Sequence, residues 1–159
     1  MQLVWHQLLQ EQHCHKNKSV CNSIDVHSFE KEELKALQRL ILSNNKLGSS
    51  ISMEIANAFS LKELNMSKNE LKGSIPSTIW AMKNLNFLDL NNNKLTGSIG
   101  DDFFDTTSLS TLYLSQNKFA GSFPSKIFNS SLLTKLNISN NLFEGSIVLD
   151  SSFNSSLCK

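Results

Sequence analysis

Proline occurs twice and tyrosine once in 159 residues, and the three cysteines form an odd number. No stretch approaches the roughly 18 consecutive apolar residues that crossing a bilayer requires. Charge of one sign is also missing: the formal net charge is +1 with 18 % charged residues, which argues against a nucleic-acid binder with a basic face. Met1 to Gln10 has no basic start, and His6 and Gln7 interrupt what would be the apolar run of a secretion signal. There is no Gly-rich phosphate loop, no His-Arg-Asp segment, no Asp-Phe-Gly and no Gly-x-Ser-x-Gly. His6, His13, His15 and His27 all lie in the first part of the chain, and no base–acid arrangement surrounds Cys14 or Cys21, so a catalytic reading finds no support.

What the chain has is Leu, Asn and Ser, set in a repeat. Asn45, Asn69, Asn93, Asn117 and Asn141 recur at one constant spacing, which defines a 24-residue period. Leu37, Leu61, Leu85, Leu109 and Leu133 keep the same register, as do Leu40, Leu64, Leu88, Leu112 and Leu136. Two further apolar columns are Leu42, Met66, Leu90, Leu114, Ile138 and Leu47, Leu71, Leu95, Phe119, Phe143. Gly73, Gly97, Gly121 and Gly145 follow, then Ile51, Ile75, Ile99, Phe123 and Ile147. With 40 % hydrophobic residues so ordered, the chain can build a core. Asn and Gly recurring through the periods, with Pro76 and Pro124 in two of them, exclude one long amphipathic helix.

Each column has a physical task. Leu88-Asp89-Leu90 alternates apolar and polar, the period of a strand with one buried face. One such strand cannot bury its apolar side alone, so the copies stack in parallel around a continuous core. Asn follows the strand where the chain turns inward, and its amide both donates and accepts. The five are expected to form a buried ladder, each unsatisfied group in which would cost about 1–3 kcal/mol. Gly gives the backbone freedom for the next bend, and Pro76 and Pro124 favour extended backbone before them. Ile79, Phe103 and Ile127 close the convex side.

The period reads LxxLxLxxNxLxGxIPxxI, most fully in Leu61 to Ile79 (LKELNMSKNELKGSIPSTI). It resembles the plant-specific class of leucine-rich repeat found in receptor-like kinases, receptor-like proteins and polygalacturonase-inhibiting proteins. Departures are Gly48 displaced with Ser49 in the Gly column, Ser52 and Gly100 at the Pro position, and Val148 in the last repeat. The resemblance implies an α/β solenoid, a right-handed coil with a parallel β-sheet on the concave face and an irregular or 3-10 convex side. Five 24-residue repeats over 33–152 follow a leader or partial cap over 1–32 and precede a truncated tail over 153–159. The missing signal and abrupt end point to a fragment of a receptor ectodomain or a shortened gene product.

Cys14 and Cys21 are separated by a six-residue stretch, and Cys158 is left over. The family's N-terminal cap has a similar disulfide-linked pair, which the resemblance implies here, although Lys16 stands where that cap has Trp; two unpaired thiols are the other reading. His13, Cys14, His15, Cys21 and His27 match no zinc spacing, so neither metal nor cofactor is expected. Glu30 to Gln38 reads as a short helix leading into the first strand. Asn-x-Ser sequons stand at Asn17, Asn65, Asn129, Asn137 and Asn154, candidate N-glycosylation sites, though a chain so rich in Asn and Ser produces such triplets by composition alone.

Side chains beside the buried Leu columns face outward on the concave sheet. The outward columns are Ile41, Asn65, Asp89, Tyr113, Asn137; Arg39, Glu63, Phe87, Thr111, Lys135; and Ser43, Ser67, Asn91, Ser115, Ser139. Exposed aromatics beside polar groups are usual anchors of recognition. The candidate ligand site is therefore Phe87, Asp89 and Tyr113, flanked by Arg39 and Lys135. The resemblance implies a non-catalytic module at the cell surface that binds a peptide or protein ligand, with a co-receptor kinase as a further partner. A secreted polygalacturonase inhibitor and a nonfunctional truncated product are the alternatives.

Overall fold

The computed structural model describes residues 35–100, 108–124, 127 and 130–145. The pair Cys14/Cys21, the sequons at Asn17, Asn129 and Asn154, and most of the expected leading helix lie outside these residues, as do Phe103 and the proposed cap and tail.

The strands, in chain order, are β1 (Arg39–Ile41), β2 (Glu63–Asn65), β3 (Lys72–Gly73), β4 (Phe87–Asp89), β5 (Lys94–Gly97), β6 (Thr111–Tyr113), β7 (Lys118–Ser122), β8 (Lys135–Asn137) and β9 (Leu142–Glu144). They form two all-parallel sheets, β1-β2-β4-β6-β8 and β3-β5-β7-β9. The first sheet is the expected one: Leu40, Leu64, Leu88, Leu112 and Leu136 pair in register, one full period from each to the next. The first four of these are buried, as are Leu37, Leu61, Leu85, Leu109 and Leu133. Full burial of one such side chain contributes about 1.5–3 kcal/mol. A single strand as short as β4 would be negligible by itself; stacking is what makes it stable.

The second sheet departs from the expectation. Its partners fall two positions short of a full period: Lys72 pairs with Lys94, Thr96 with Lys118 and Ala120 with Leu142. Its strands therefore run oblique to the stacking direction. An even offset keeps the same faces inward, so Leu47, Leu71, Leu95 and Phe119 remain in the core. The offset also sets the Gly column against the next coil's apolar column, with Gly73 beside Leu95, Gly97 beside Phe119 and Gly121 beside Phe143. The backbone at Gly97 has φ +93°, and a Cβ there would stand 3.1 Å from the Ser74 Cβ. A side chain at that position meets both strain and crowding.

The convex side begins with a 3-10 turn, Met53–Asn57, capped by the Ser52 hydroxyl accepting from the Glu54 N–H at 3.2 Å. In the next coil its place is taken by a one-turn helix α1, Ser77–Trp80, which Pro76 precedes at φ −61°. Ile55, Ile79 and Ile127 are buried, which extends the expected convex column one coil earlier, and Trp80 joins them.

Candidate binding surface

The Asn column fixes how each coil leaves the concave sheet. Asn93 Nδ2 donates to Leu90 O in its own coil at 3.1 Å and to Met66 O in the coil before at 3.0 Å, while its Oδ1 accepts the Leu71 N–H at 3.0 Å. Asn69 and Asn117 repeat the pattern, and all three are buried. The ladder thins at its ends. Asn141 keeps the bonds but is half-buried. Asn45 is exposed and bonds only within its own coil, to Leu42 O and Ser43 O, so the buried column has fewer than the expected five members. Immediately before each Asn the chain passes through the left-handed region, at Asn44, Lys68, Asn92, Gln116 and Asn140 (φ 54–59°).

On the concave sheet Phe87 and Asp89 share one face of β4, and Asp89 lies in register with Tyr113 on β6. The Phe87 and Tyr113 rings meet edge to face, centroids 6.0 Å apart at 84°. The three expected central residues therefore form one half-buried corner. Burial raises the Asp89 carboxyl above the usual carboxylate range, while the hydrogen bond from the Asn91 N–H, the neighbouring Ser67 side chain and the nearby Lys68 act the other way. The flanks do not join this corner equally. Arg39 is held by Glu63, Nε to Oε2 at 2.5 Å, on β1 and β2. Lys135, on β8, lies in register with Thr111, one strand beyond Tyr113.

The third outward column needs correcting. Ser67 and Ser115 are buried at 7 % exposure, because their hydroxyls and amides are tied into turns. Asn65 Oδ1 accepts the Ser67 N–H (3.1 Å) and hydroxyl (2.8 Å), and Asn137 Oδ1 does the same for Ser139. Asp89 Oδ1 takes the Asn91 N–H at 3.0 Å. Tyr113 has no such acceptor, and Asn91 Oδ1 reaches from the previous coil to the Ser115 N–H at 2.7 Å and hydroxyl at 2.8 Å. Asn91 is thus a positioning residue that the sequence did not single out; the signal was an aromatic interrupting a column of short polar residues. Thr111 is also buried, in register between Phe87 and Lys135. Of the sequons on this sheet, Asn137 is exposed and Asn65 half-buried.

Among the described residues no group of His, Cys, Asp and Glu is arranged to hold a metal ion, and no helix is long and apolar enough to cross a membrane.

Two leucine-rich-repeat family models match the chain, one of two copies over residues 60–105 and a single-repeat one over 36–58 and 108–130, together more than half of it. No curated protein matches significantly. Among solved structures, the ectodomain of the Arabidopsis receptor kinase HAESA, in complex with an extended IDA peptide hormone, is 30 % identical with a TM-score of 0.63. That match covers 69 % of this chain and 18 % of that one. The ectodomain of the receptor kinase SOBIR1 from Arabidopsis thaliana is 36 % identical over 68 % of this chain and 59 % of its own, with a TM-score of 0.63. A plant ice-binding protein is 28 % identical over 72 % of this chain and 38 % of its own, again with a TM-score of 0.63. The chain spans less than a fifth of the HAESA ectodomain.

Proposed function

The chain belongs to the leucine-rich-repeat family, and from that premise we propose that it is a non-catalytic binding module whose concave sheet takes an extended peptide. It would work outside the cell as part of a receptor-type ectodomain. The observation that carries the reading is the corner of Phe87, Asp89 and Tyr113: two aromatics and a carboxylate stand together where the neighbouring outward positions are mostly short and polar. Half-buried aromatics supply contact area at small entropic cost, which suits them as anchors. The neighbours whose ectodomains are receptor kinases, one of them holding a peptide hormone, support the same reading. Co-receptor docking, signalling and defence roles belong to this proposal too.

The test is capture of random dodecapeptides on an array by the full chain, compared with Phe87→Ala/Tyr113→Ala. Capture of a discrete set by the wild type and its loss in the double variant is the expected result. Equal capture by both, or no capture, would overturn the reading.

A further inference from the structure

We propose that the corner formed by Phe87, Asp89 and Tyr113 is the seat of a cationic side chain, so that the peptides this chain binds are those carrying Arg or Lys at the anchoring position. The inference rests on the peptide-binding reading and adds the chemistry of the ligand.

Three observations on the same face carry it. First, Asp89 is half-buried and no ion pair joins it to a cation among the described residues. The other carboxylate on this part of the sheet, Glu63, is occupied by Arg39. Lys68, after β2, lies near enough to act on Asp89 but forms no ion pair with it. A carboxylate has about four lone-pair sites, and the hydrogen bond from the Asn91 N–H leaves about three. Secondly, the rings beside it are perpendicular, so the one that presents its edge keeps both faces clear of the other. A guanidinium or ammonium over an aromatic face and against a carboxylate gains from both. Thirdly, the same column holds Asn at positions 65 and 137, where the side-chain oxygen makes the same turn bond that Asp89 makes. The turn thus needs an oxygen acceptor and not a charge. The extra negative charge at position 89, placed where burial disfavours it, has no use inside the coil, and a cationic ligand supplies its partner.

The column also provides the clean variant. Asp89→Asn keeps the acceptor for the Asn91 N–H and installs the residue the coil already accommodates twice in that place. On the same dodecapeptide array, the wild type is expected to capture a set enriched in Arg or Lys. Asp89→Asn should bind those peptides roughly ten- to hundredfold more weakly, the loss expected for one charge-assisted hydrogen-bonded contact. Raising the salt should shrink the wild-type advantage. If the captured set is not enriched in basic residues, or Asp89→Asn binds it as the wild type does, the inference fails. The peptide-binding reading survives that outcome provided Phe87→Ala/Tyr113→Ala still abolishes capture. If nothing is captured, both fail together.

Discussion

Replacing Asn93 by alanine removes four hydrogen bonds whose consequences differ. Met66 O still receives Asn69 Nδ2 at 3.0 Å, and Leu90 O still receives Asn117 Nδ2 at 2.9 Å, so neither carbonyl is orphaned. The Leu71 N–H loses the acceptor that held it at 3.0 Å, in a buried setting. An unsatisfied buried donor costs about 1–3 kcal/mol, and with the lost donations from Nδ2 the total comes to about 3 kcal/mol. Asn45→Ala is the internal control. Asn45 is exposed, and Leu42 O keeps Asn69 Nδ2 at 2.9 Å, so less than about 1 kcal/mol should be lost. Asn93→Asp separates hydrogen bonding from shape. It retains an oxygen for Leu71 but sets another against the carbonyls of Met66 and Leu90, and should cost at least as much as alanine despite equal size. Urea unfolding of the three variants, read as midpoints at constant slope, gives the ordering. The reasoning is refuted if Asn45→Ala costs as much as Asn93→Ala, or if Asn93→Asp unfolds with the wild type.

Phe87→Ala should change stability little while Leu88→Ala, one residue on and fully buried, should cost about 2–5 kcal/mol in the same titration; a reversed order would invert the faces of the sheet. Gly97→Ala should destabilise by about 1–3 kcal/mol, from its positive φ and the Ser74 contact. Gly100→Ala, with open space around it and no positive φ, should be neutral or slightly stabilising, and thermal melts of the pair will show it. Because burial raises the Asp89 carboxyl, its ionisation opposes folding: the stability linked to its proton is present in acid and lost as pH rises through the raised value. Asp89→Asn should therefore be more stable than the wild type at neutral pH, with the gap closing on acidification; a gap that widened in acid would reverse the assigned cause.

The first sheet was legible because every outward or inward position of 39–41 has its counterpart one period later, and a strand of period 2 leaves no choice of face. The ladder was legible because Asn is the one short side chain that brings two N–H donors and an acceptor oxygen together. The second sheet was not. Lys72, Thr96, Ala120 and Glu144 occupy equivalent places without shared chemistry, and a pairing two positions short of the period cannot be read from columns aligned on the period itself. The left-handed turn residues escaped for a like reason, since Asn, Lys and Gln all fill that place. At the proposed binding surface the residues of the corner were readable from alternation, but their contact was not. Nor was the burial of Ser67, Thr111 and Ser115, which depends on what the neighbouring coils place beside them. Stability and function divide along the same line here. The inward columns and the ladder hold the coil together, whereas Asp89 spends a little stability on a charge that only a ligand completes.

The most direct test of the account is where a bound peptide touches the coil. A captured peptide carrying a benzophenone beside its basic residue, photo-crosslinked to the full chain and mapped by mass spectrometry, reports this without assuming the site. Adducts on the strands that carry Phe87, Asp89 and Tyr113 are the predicted result. Adducts confined to the second sheet, on β3, β5 or β7, would contradict it.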